Sequence, residues 1–451
     1  MEESLGLKHF HIITMGCQMN EYDSDLASQL LLNMGYHPAS DPLEADLILI
    51  NTCAVRARAE QKAVSILGRV LKQKRRTPDL KVGMMGCVAQ KRGAELFKRF
   101  PELDLVLGTR EVFRMREHIQ DSQNRLRVLA TELNLQPPPS PRPSGYFRSR
   151  VTAFISIMEG CNNFCTYCIV PFTRGRETSR SPEEILSEAD HLLSEGVREI
   201  TLLGQNVNSY SYGKGEGQCR FPLLLRRLSS LEGLLRIRFT TSHPKDLSDE
   251  LIRCFAEIPS LCRQIHLPFQ AGSNRILKRM NRGYTREQYM DRVKELREVV
   301  PSIAITSDVM VGFPGETEED FQETMDLIRK IEFDNLYSFK YSDREKTRSS
   351  TMSGKIDEAE KSRRLALLQK LQKEITVRKN RSFKGSVVDV LVEGISRRGN
   401  QLTGKTESGR IVNFRAASEL LGHIVKVTVK ESSANSLRGE WLDPAGGISS
   451  H

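Results

Sequence analysis

Short apolar runs alternate with helical patterns along most of the chain. His9–Met15, Ala45–Ile50 and Lys81–Met85 are runs of strand length, Leu103–Leu107 reads as a fourth, and helical periodicity separates them. Alternating strand and helix predict an α/β unit on a parallel sheet, spanning residues 8–125. The stretch Gln136-Pro137-Pro138-Pro139-Ser140-Pro141-Arg142-Pro143-Ser144-Gly145 supports neither a helix nor a central strand and puts a boundary near residues 136–146. Alternation resumes with strand candidates at Val151–Met158, Glu199–Leu203, Leu235–Thr240, Gln264–Leu267, Ile303–Met310 and Asn335–Phe339. Six strand–helix pairs suggest a parallel barrel, complete or partial, over 147–378. The period then changes to two. Val388, Val390 and Val392, and later Val425, Val427 and Val429, alternate with more polar neighbours, which predicts a small antiparallel β-barrel of the OB type over 380–445.

Composition bounds the picture. Hydrophobic residues make up 39% and charged residues 27% of the 451, as in a folded globular protein of about three domains. Net charge is +10, which favours a polyanionic partner. The surplus peaks between Lys361 and Lys384, where Leu365, Leu368, Leu371 and Ile375 recur at helical spacing; taken alone, that stretch reads first as an ordinary surface helix with a solvated face. Met1-Glu2-Glu3-Ser4 does not resemble a secretion signal, and no apolar run approaches the ~20 residues of a membrane span. Nine cysteines are too sparse for a disulfide scaffold, so a reducing cytoplasmic setting with metal-ligating thiols is expected.

Cys161, Cys165 and Cys168 form Cys-x3-Cys-x2-Cys directly after a predicted strand and Gly160. Three thiolates on one loop suit a [4Fe–4S] cluster with one open iron, whereas a zinc loop wants a fourth ligand nearby. Cys17, Cys53 and Cys87 each follow the end of a predicted N-terminal strand. In a parallel sheet those ends share one edge, so the three would meet at a second cluster; independent buried thiols are the alternative. Cys219, Cys254 and Cys262 share no such spacing and read as structural.

With Tyr167 before its third cysteine, the loop matches Cys-x3-Cys-x-aromatic-Cys and resembles the radical SAM superfamily. Together, the three-cysteine α/β domain, the barrel and the terminal β-domain resemble the methylthiotransferase family over essentially residues 8–440, with a TRAM-like end. Leu202–Tyr210, His266–Ser273, Val311–Thr317 and Leu402–Thr406 look most like MiaB proteins, which act on N6-isopentenyladenosine next to the tRNA anticodon. Tyr341–Thr347 departs from that pattern, as does Lys405 where Arg is common.

The resemblance implies two [4Fe–4S] clusters, on Cys17, Cys53 and Cys87 and on Cys161, Cys165 and Cys168, with S-adenosylmethionine on the open iron of the second. One S-adenosylmethionine would methylate sulfur and another would yield a radical that takes hydrogen from adenine C2. The implied cofactor contacts are Tyr167, Gly204, Gln205, Asn206, Ser242, Gln270, Val311 and Gly312, with no catalytic residue beyond the cluster ligands; His243 and His266 read as framework. Arg378, Lys379, Arg381, Lys384, Lys405 and Arg410 are the RNA-binding candidates. Expected partners are the tRNA anticodon loop, an electron donor and a supplier of sulfur or iron–sulfur clusters, with the chain itself a monomer. Two other methylthiotransferase substrates, threonylcarbamoyl-adenosine in tRNA and a ribosomal protein, stay open. So does a non-catalytic RNA-binding protein with structural metal sites.

Overall fold

A computed structural model describes residues 7–54, 57–124, 127–134, 145–396 and 399–443. Met1–Ser4 and most of the proline-rich stretch lie outside the described residues. The chain forms two compact units. One takes Met1–Tyr146, Met158–Phe164 and Cys168–Thr178; the other takes Phe147–Ile157, Cys165–Tyr167 and Ser179–His451.

In the first unit, β1 (Lys8–Met15), α1 (Gln18–Leu32), β2 (Tyr36–Pro38), β3 (Leu47–Thr52), α2 (Ala57–Lys74), β4 (Lys81–Gly86), α3 (Cys87–Arg99), β5 (Leu105–Leu107), α4 (Met115–Gln123) and β6 (Val128–Ala130) follow in order. All six strands pair in parallel, in the order β2-β1-β3-β4-β5-β6. The edge strands β2 and β6 were not among the sequence expectations; at three residues each they carry too little pattern to be read. Every residue of β3 is buried, because helices cover both faces of the sheet. Ile48 and Ile50 pack with Leu67 and Val70 of α2 and Val88 of α3, whereas Leu47 and Leu49 pack with Leu26 and Leu31 of α1 and Met115 of α4.

The second unit begins with β7 (Thr152–Ser156). The short β8 (Met158–Glu159) and α5 (Val170–Thr173), which follow in the chain, belong to the first unit, and β9 (Thr178–Ser179) marks the return to the second. Then come α6 (Pro182–Ser194), β10 (Glu199–Leu203), a ribbon of β11 (Ser211–Tyr212) with β12 (Cys219–Arg220), α7 (Phe221–Ser229), β13 (Arg236–Phe239), α8 (Asp249–Glu257), β14 (Gln264–His266), α9 (Asn274–Arg279), α10 (Arg286–Val299), β15 (Ala304–Val311), α11 (Glu318–Ile331), β16 (Asn335–Lys340) and α12 (Glu358–Arg381). The six expected barrel strands appear as two parallel three-stranded sheets, β7-β10-β13 and β14-β15-β16, linked by an isolated parallel bridge between Ile237 and Leu261. The barrel is therefore partial. Thr317 caps α11 in a reciprocal box with Asp320, three residues on.

The terminal strands β17 (Val387–Ile395), β18 (Leu402–Lys405), β19 (Ile411–Arg415), β20 (Ile424–Ser432) and β21 (Leu437–Trp441) close into a barrel in the order β17-β18-β19-β21-β20. The wholly antiparallel expectation needs correction, because β19 and β21 run parallel. Directions cannot alternate around a closed ring with an odd number of strands. Val390, Val392, Val425, Val427 and Val429 point inward, as their spacing predicts.

Candidate functional site

Cys17 caps α1 after β1, Cys53 follows β3, and Cys87 opens α3 after β4. These strands are neighbours. After β1 the chain moves outward to β2, then crosses back to β3 on the other side, so Cys17 and Cys53 flank the switch point where open parallel sheets bind ligands. Glycines make the close approach possible. A Cβ on Gly16 would stand 2.7 Å from that of Cys53, one on Gly86 2.4 Å from Asn51 Oδ1, and both backbones are left-handed. Beneath them, Asn20 Nδ2 donates to Asn51 Oδ1 at 2.9 Å and Asn51 Nδ2 to the Asn20 carbonyl at 2.7 Å, tying α1 to the end of β3.

The electrostatics of this edge centre on a residue that sequence reading missed. Arg174, almost wholly buried, pairs with Asp23 at 2.5 Å and with Glu159 at 3.1 Å. A hydrogen bond from Cys53, reinforced by the charge of Arg174, holds the Cys17 thiol down to about 6. Burial pushes the Cys87 thiol up, and Arg174, which also hydrogen-bonds it, opposes that shift. Burial likewise raises Asp23 and Glu159 against the pull of Arg174. The one hint in the sequence is a cation at the end of the apolar run Ile169–Phe172, six residues after Cys168.

On the other cysteine loop, the Cys161 N–H donates to the Gly175 carbonyl at 3.3 Å. Thr166 is tied to the turn after α9, its N–H on the Met280 carbonyl at 3.0 Å and its hydroxyl on that of Arg279 at 3.0 Å. Tyr167 packs against the Ile276, Leu277, Met280 and Phe313 cluster, which gives the aromatic its anchoring role. Arg282, also missed from sequence, donates to Cys165 Sγ and to Tyr167 Oη, each at 3.4 Å. Among the described residues no three His, Cys, Asp or Glu side chains could hold a single metal ion. A cubane seats each thiolate on its own iron, so its ligands stand wider apart than those of one ion.

The expected cofactor contacts lie at the carboxyl edge of the partial barrel. Gly204, Gln205 and Asn206 follow β10, Ser242 follows β13, Gln270 follows β14, and Val311 and Gly312 end β15. The β10 and β13 loops are laced together, with Val207 N–H on the Thr241 carbonyl at 3.0 Å and Asn208 Nδ2 on that of His243 at 2.9 Å. Asn206 Nδ2 donates to Asp246 at 2.7 Å, yet Asn206 Oδ1, Ser242 Oγ and His243 Nε2 are buried without a protein partner among the described residues. Buried polar atoms are normally satisfied, so this edge fits a polar ligand such as an amino acid headgroup. Gln270 is held in a left-handed backbone, φ 65°, by pairing on both sides, its N–H on the Asp308 carbonyl and its carbonyl on the Met310 N–H. Gly312, φ 74°, donates its N–H to Glu316 at 2.6 Å and so also shapes the turn into α11.

The RNA-binding candidates divide. Lys379 and Arg410 both pair with Asp334, at 2.8 and 2.6 Å, and Arg410 also covers the Phe383 ring, which joins α12 and the small barrel to β16. Lys405 pairs with Glu393 at 2.9 Å, and Arg378 with Glu332. Arg381 and Lys384 are exposed and form no ion pair among the described residues. Arg378 and Arg381 line a surface groove with Lys370, Lys373 and Glu374. The face of α12 toward the barrel is not wholly apolar: Arg364 is buried beside Glu316 and Glu360, and Leu365 and Leu371 are only half-buried. Cys219, Cys254 and Cys262 are buried, as expected of structural thiols.

Comparison with known proteins agrees with this layout. Residues 155–328 match the radical SAM superfamily, 9–108 match the uncharacterized protein family UPF0004, and 381–442 match the TRAM domain. The tRNA-2-methylthio-N(6)-dimethylallyladenosine synthase of Syntrophus aciditrophicus is 48% identical over 440 residues, covering 97% of this chain and 95% of that protein. The synthase of the same name from Syntrophobacter fumaroxidans is 49% identical over 443 residues, covering 97% of each. Among solved structures, the radical S-adenosylmethionine methyltransferase TsrM from Kitasatospora setae, with cobalamin and a [4Fe-4S] cluster bound, shares the fold with a TM-score of 0.57 at 17% identity, over 74% of this chain and 72% of that one. The radical SAM assignment carries with it S-adenosylmethionine and one [4Fe–4S] cluster. No described helix is long and apolar enough to cross a membrane. By near-full-length identity and by all three matched domains, this chain belongs to the radical SAM methylthiotransferase family, of the MiaB type.

Proposed function

We propose that the chain is a tRNA-2-methylthio-N6-dimethylallyladenosine synthase that binds two [4Fe–4S] clusters, one on Cys161, Cys165 and Cys168 and one on Cys17, Cys53 and Cys87. The observation that carries this reading is the meeting of Cys17, Cys53 and Cys87 at the carboxyl ends of three adjacent parallel strands. A radical SAM barrel that used only radical chemistry has no need of a second thiolate trio; sulfur insertion does. Bound together, S-adenosylmethionine and the barrel cluster supply a carbon radical able to take hydrogen from an unactivated C–H bond.

The protein's own contribution is to bind and to aim. The free acceptor of Asn206, the hydroxyl of Ser242 and the N–H of His243 offer the methionyl headgroup hydrogen bonds, while Gln270, Val311 and Gly312 line the edge beside them. At the N-terminal sheet edge, Arg174 keeps positive charge next to thiols that must be ionised to hold iron. Adenine C2 is reached only from an unstacked base, which a single-stranded anticodon loop provides at little cost. Of the six candidates, Arg381 and Lys384 form no ion pair among the described residues and so are available for the tRNA body. An electron donor and a source of sulfur complete the reaction's needs.

Anaerobic reconstitution is expected to give about eight irons per chain, four per cubane. Joint replacement of Cys161, Cys165 and Cys168 by Ala should halve that figure. Cys53→Ala should still release 5′-deoxyadenosine but leave tRNA without the methylthio group, read by nucleoside mass spectrometry. Unchanged iron in the triple variant would refute the barrel cluster, and a methylthio group found on threonylcarbamoyl-adenosine would reassign the substrate.

A further inference from the structure

Arg282 stands in the turn after α9 with its side chain buried. Nη2 donates to the Pro268 carbonyl at 2.8 Å, Nε to Tyr284 Oη at 3.2 Å, and Nη1 to Tyr167 Oη and Cys165 Sγ at 3.4 Å. Tyr284 is itself fixed, donating to the Phe269 carbonyl at 2.9 Å. No carboxylate among the described residues pairs with this guanidinium. The contrast with the other buried arginines is informative. Arg110 and Arg174 face Glu159 and Arg364 faces Glu316. Arg236 also lacks a carboxylate; its Nη1 and Nη2 donate to the main-chain carbonyls of Lys405 and Asp389, its Nε has no partner among the described residues, and it touches no candidate cluster cysteine. Arg174 also reaches a candidate cluster cysteine, Cys87, but it has Asp23 and Glu159 as counter-ions, whereas Arg282 reaches Cys165 with no carboxylate beside it.

A buried cation without a counter-ion costs several kcal/mol, so an arginine kept in such a place implies an anion that completes it. The ionised sulfur of Cys165, carrying its share of a cluster's negative charge, is the anion within reach. We propose that Arg282 is a positioning residue for the barrel cluster, its guanidinium serving as the fixed counter-charge and hydrogen-bond donor of the Cys165 thiolate. The fork geometry matters because it lets one group hold Cys165, Tyr167 and the β14 loop carbonyl in one plane. A cation and an N–H···S bond stabilise the more negative, reduced form of an iron–sulfur cluster, so Arg282 raises the reduction potential of the barrel cluster.

This inference rests on the reading that Cys161, Cys165 and Cys168 hold that cluster, and the test separates the two. In the full chain carrying Cys17→Ala, Cys53→Ala and Cys87→Ala, only the barrel cluster can assemble, and about four irons per chain are expected. Its midpoint potential is then read by dye-mediated titration with electron paramagnetic resonance. Arg282→Gln should shift the reduction equilibrium about tenfold toward the oxidised form, ~59 mV for a one-electron couple. Arg282→Lys, which keeps the charge, should recover most of that shift. Four irons with an unchanged potential in Arg282→Gln would overturn the proposal, as would a potential in Arg282→Lys as low as in the glutamine variant. If Arg282→Gln loses its iron or its fold, Arg282→Lys decides: iron and potential retained support the counter-charge, and a tenfold fall overturns it. Absence of iron from the parent background would instead remove the cluster reading, and this proposal with it.

Discussion

At the scale of single residues, the site is a set of buried polar groups held in fixed protonation states. His243 shows how. Its Nδ1 accepts from the Lys245 N–H at 3.3 Å, and its ring meets Tyr284 edge-on. Burial, with the charges of Arg282 and Lys245, pushes its pKa from 6.5 down to about 2, so the ring is neutral in the folded protein. Below the unfolded pKa the unfolded chain binds the extra proton, so stability rises with pH in that window. The contribution is complete above pH 6.5 and falls by about 1.4 kcal/mol for each unit below it. His243→Asn, whose Oδ1 replaces the Nδ1 acceptor, should therefore show a shallower fall in melting temperature between pH 6.5 and 5 than the parent. Parallel pH profiles would mean that the imidazole titrates freely.

At the scale of elements, the terminal barrel leaves least room where β17 and β18 run side by side. Gly404 in β18 faces β17, and a Cβ there would lie 2.1 Å from the Leu391 carbonyl oxygen and 2.8 Å from Val390 Cγ1. Gly404→Ala should cost about 1–3 kcal/mol, because backbone cannot yield as the end of a flexible side chain does. The chain's one tryptophan, Trp441, lies in β21 and packs on the barrel core, so its fluorescence reports this element separately from the rest. The expected result is a tryptophan transition at lower denaturant, with the main far-ultraviolet transition moved less. An unmoved tryptophan transition would show that the strands separate without cost.

At the scale of the whole molecule, the net charge of +10 resolves into cations that build and cations that are available. Lys379 and Arg410 hold Asp334, and burial lowers the pKa of Lys379 despite that partner. Arg381 and Lys384, by contrast, are solvated. Replacing both by Ala should weaken binding of different tRNAs alike and flatten the salt dependence by up to roughly 0.9 log unit for each phosphate no longer neutralised. Lys379→Ala should act mainly on stability. Titration of labelled tRNA at several salt concentrations distinguishes them: an unaltered slope in the double variant would leave α12 an ordinary surface helix and move RNA recognition elsewhere.

What the sequence determined by itself is whatever is encoded locally or by a topological rule. Period two marked Val425, Val427 and Val429 as barrel core, and strand–helix alternation marked the parallel sheets. The Cys161–Cys168 loop is a local pattern. Cys17, Cys53 and Cys87 were legible although far apart, because each follows a strand and parallel strands end on one side. The charges around these thiols were not legible. Arg174 meets Asp23 across 151 residues, and Arg282 meets Cys165 across 117. Periodicity carries no information about a partner at that separation, and a charged residue reads as surface by default. Only the tertiary structure decides which cations leave water, because burial and a matching anion are properties of the packed chain.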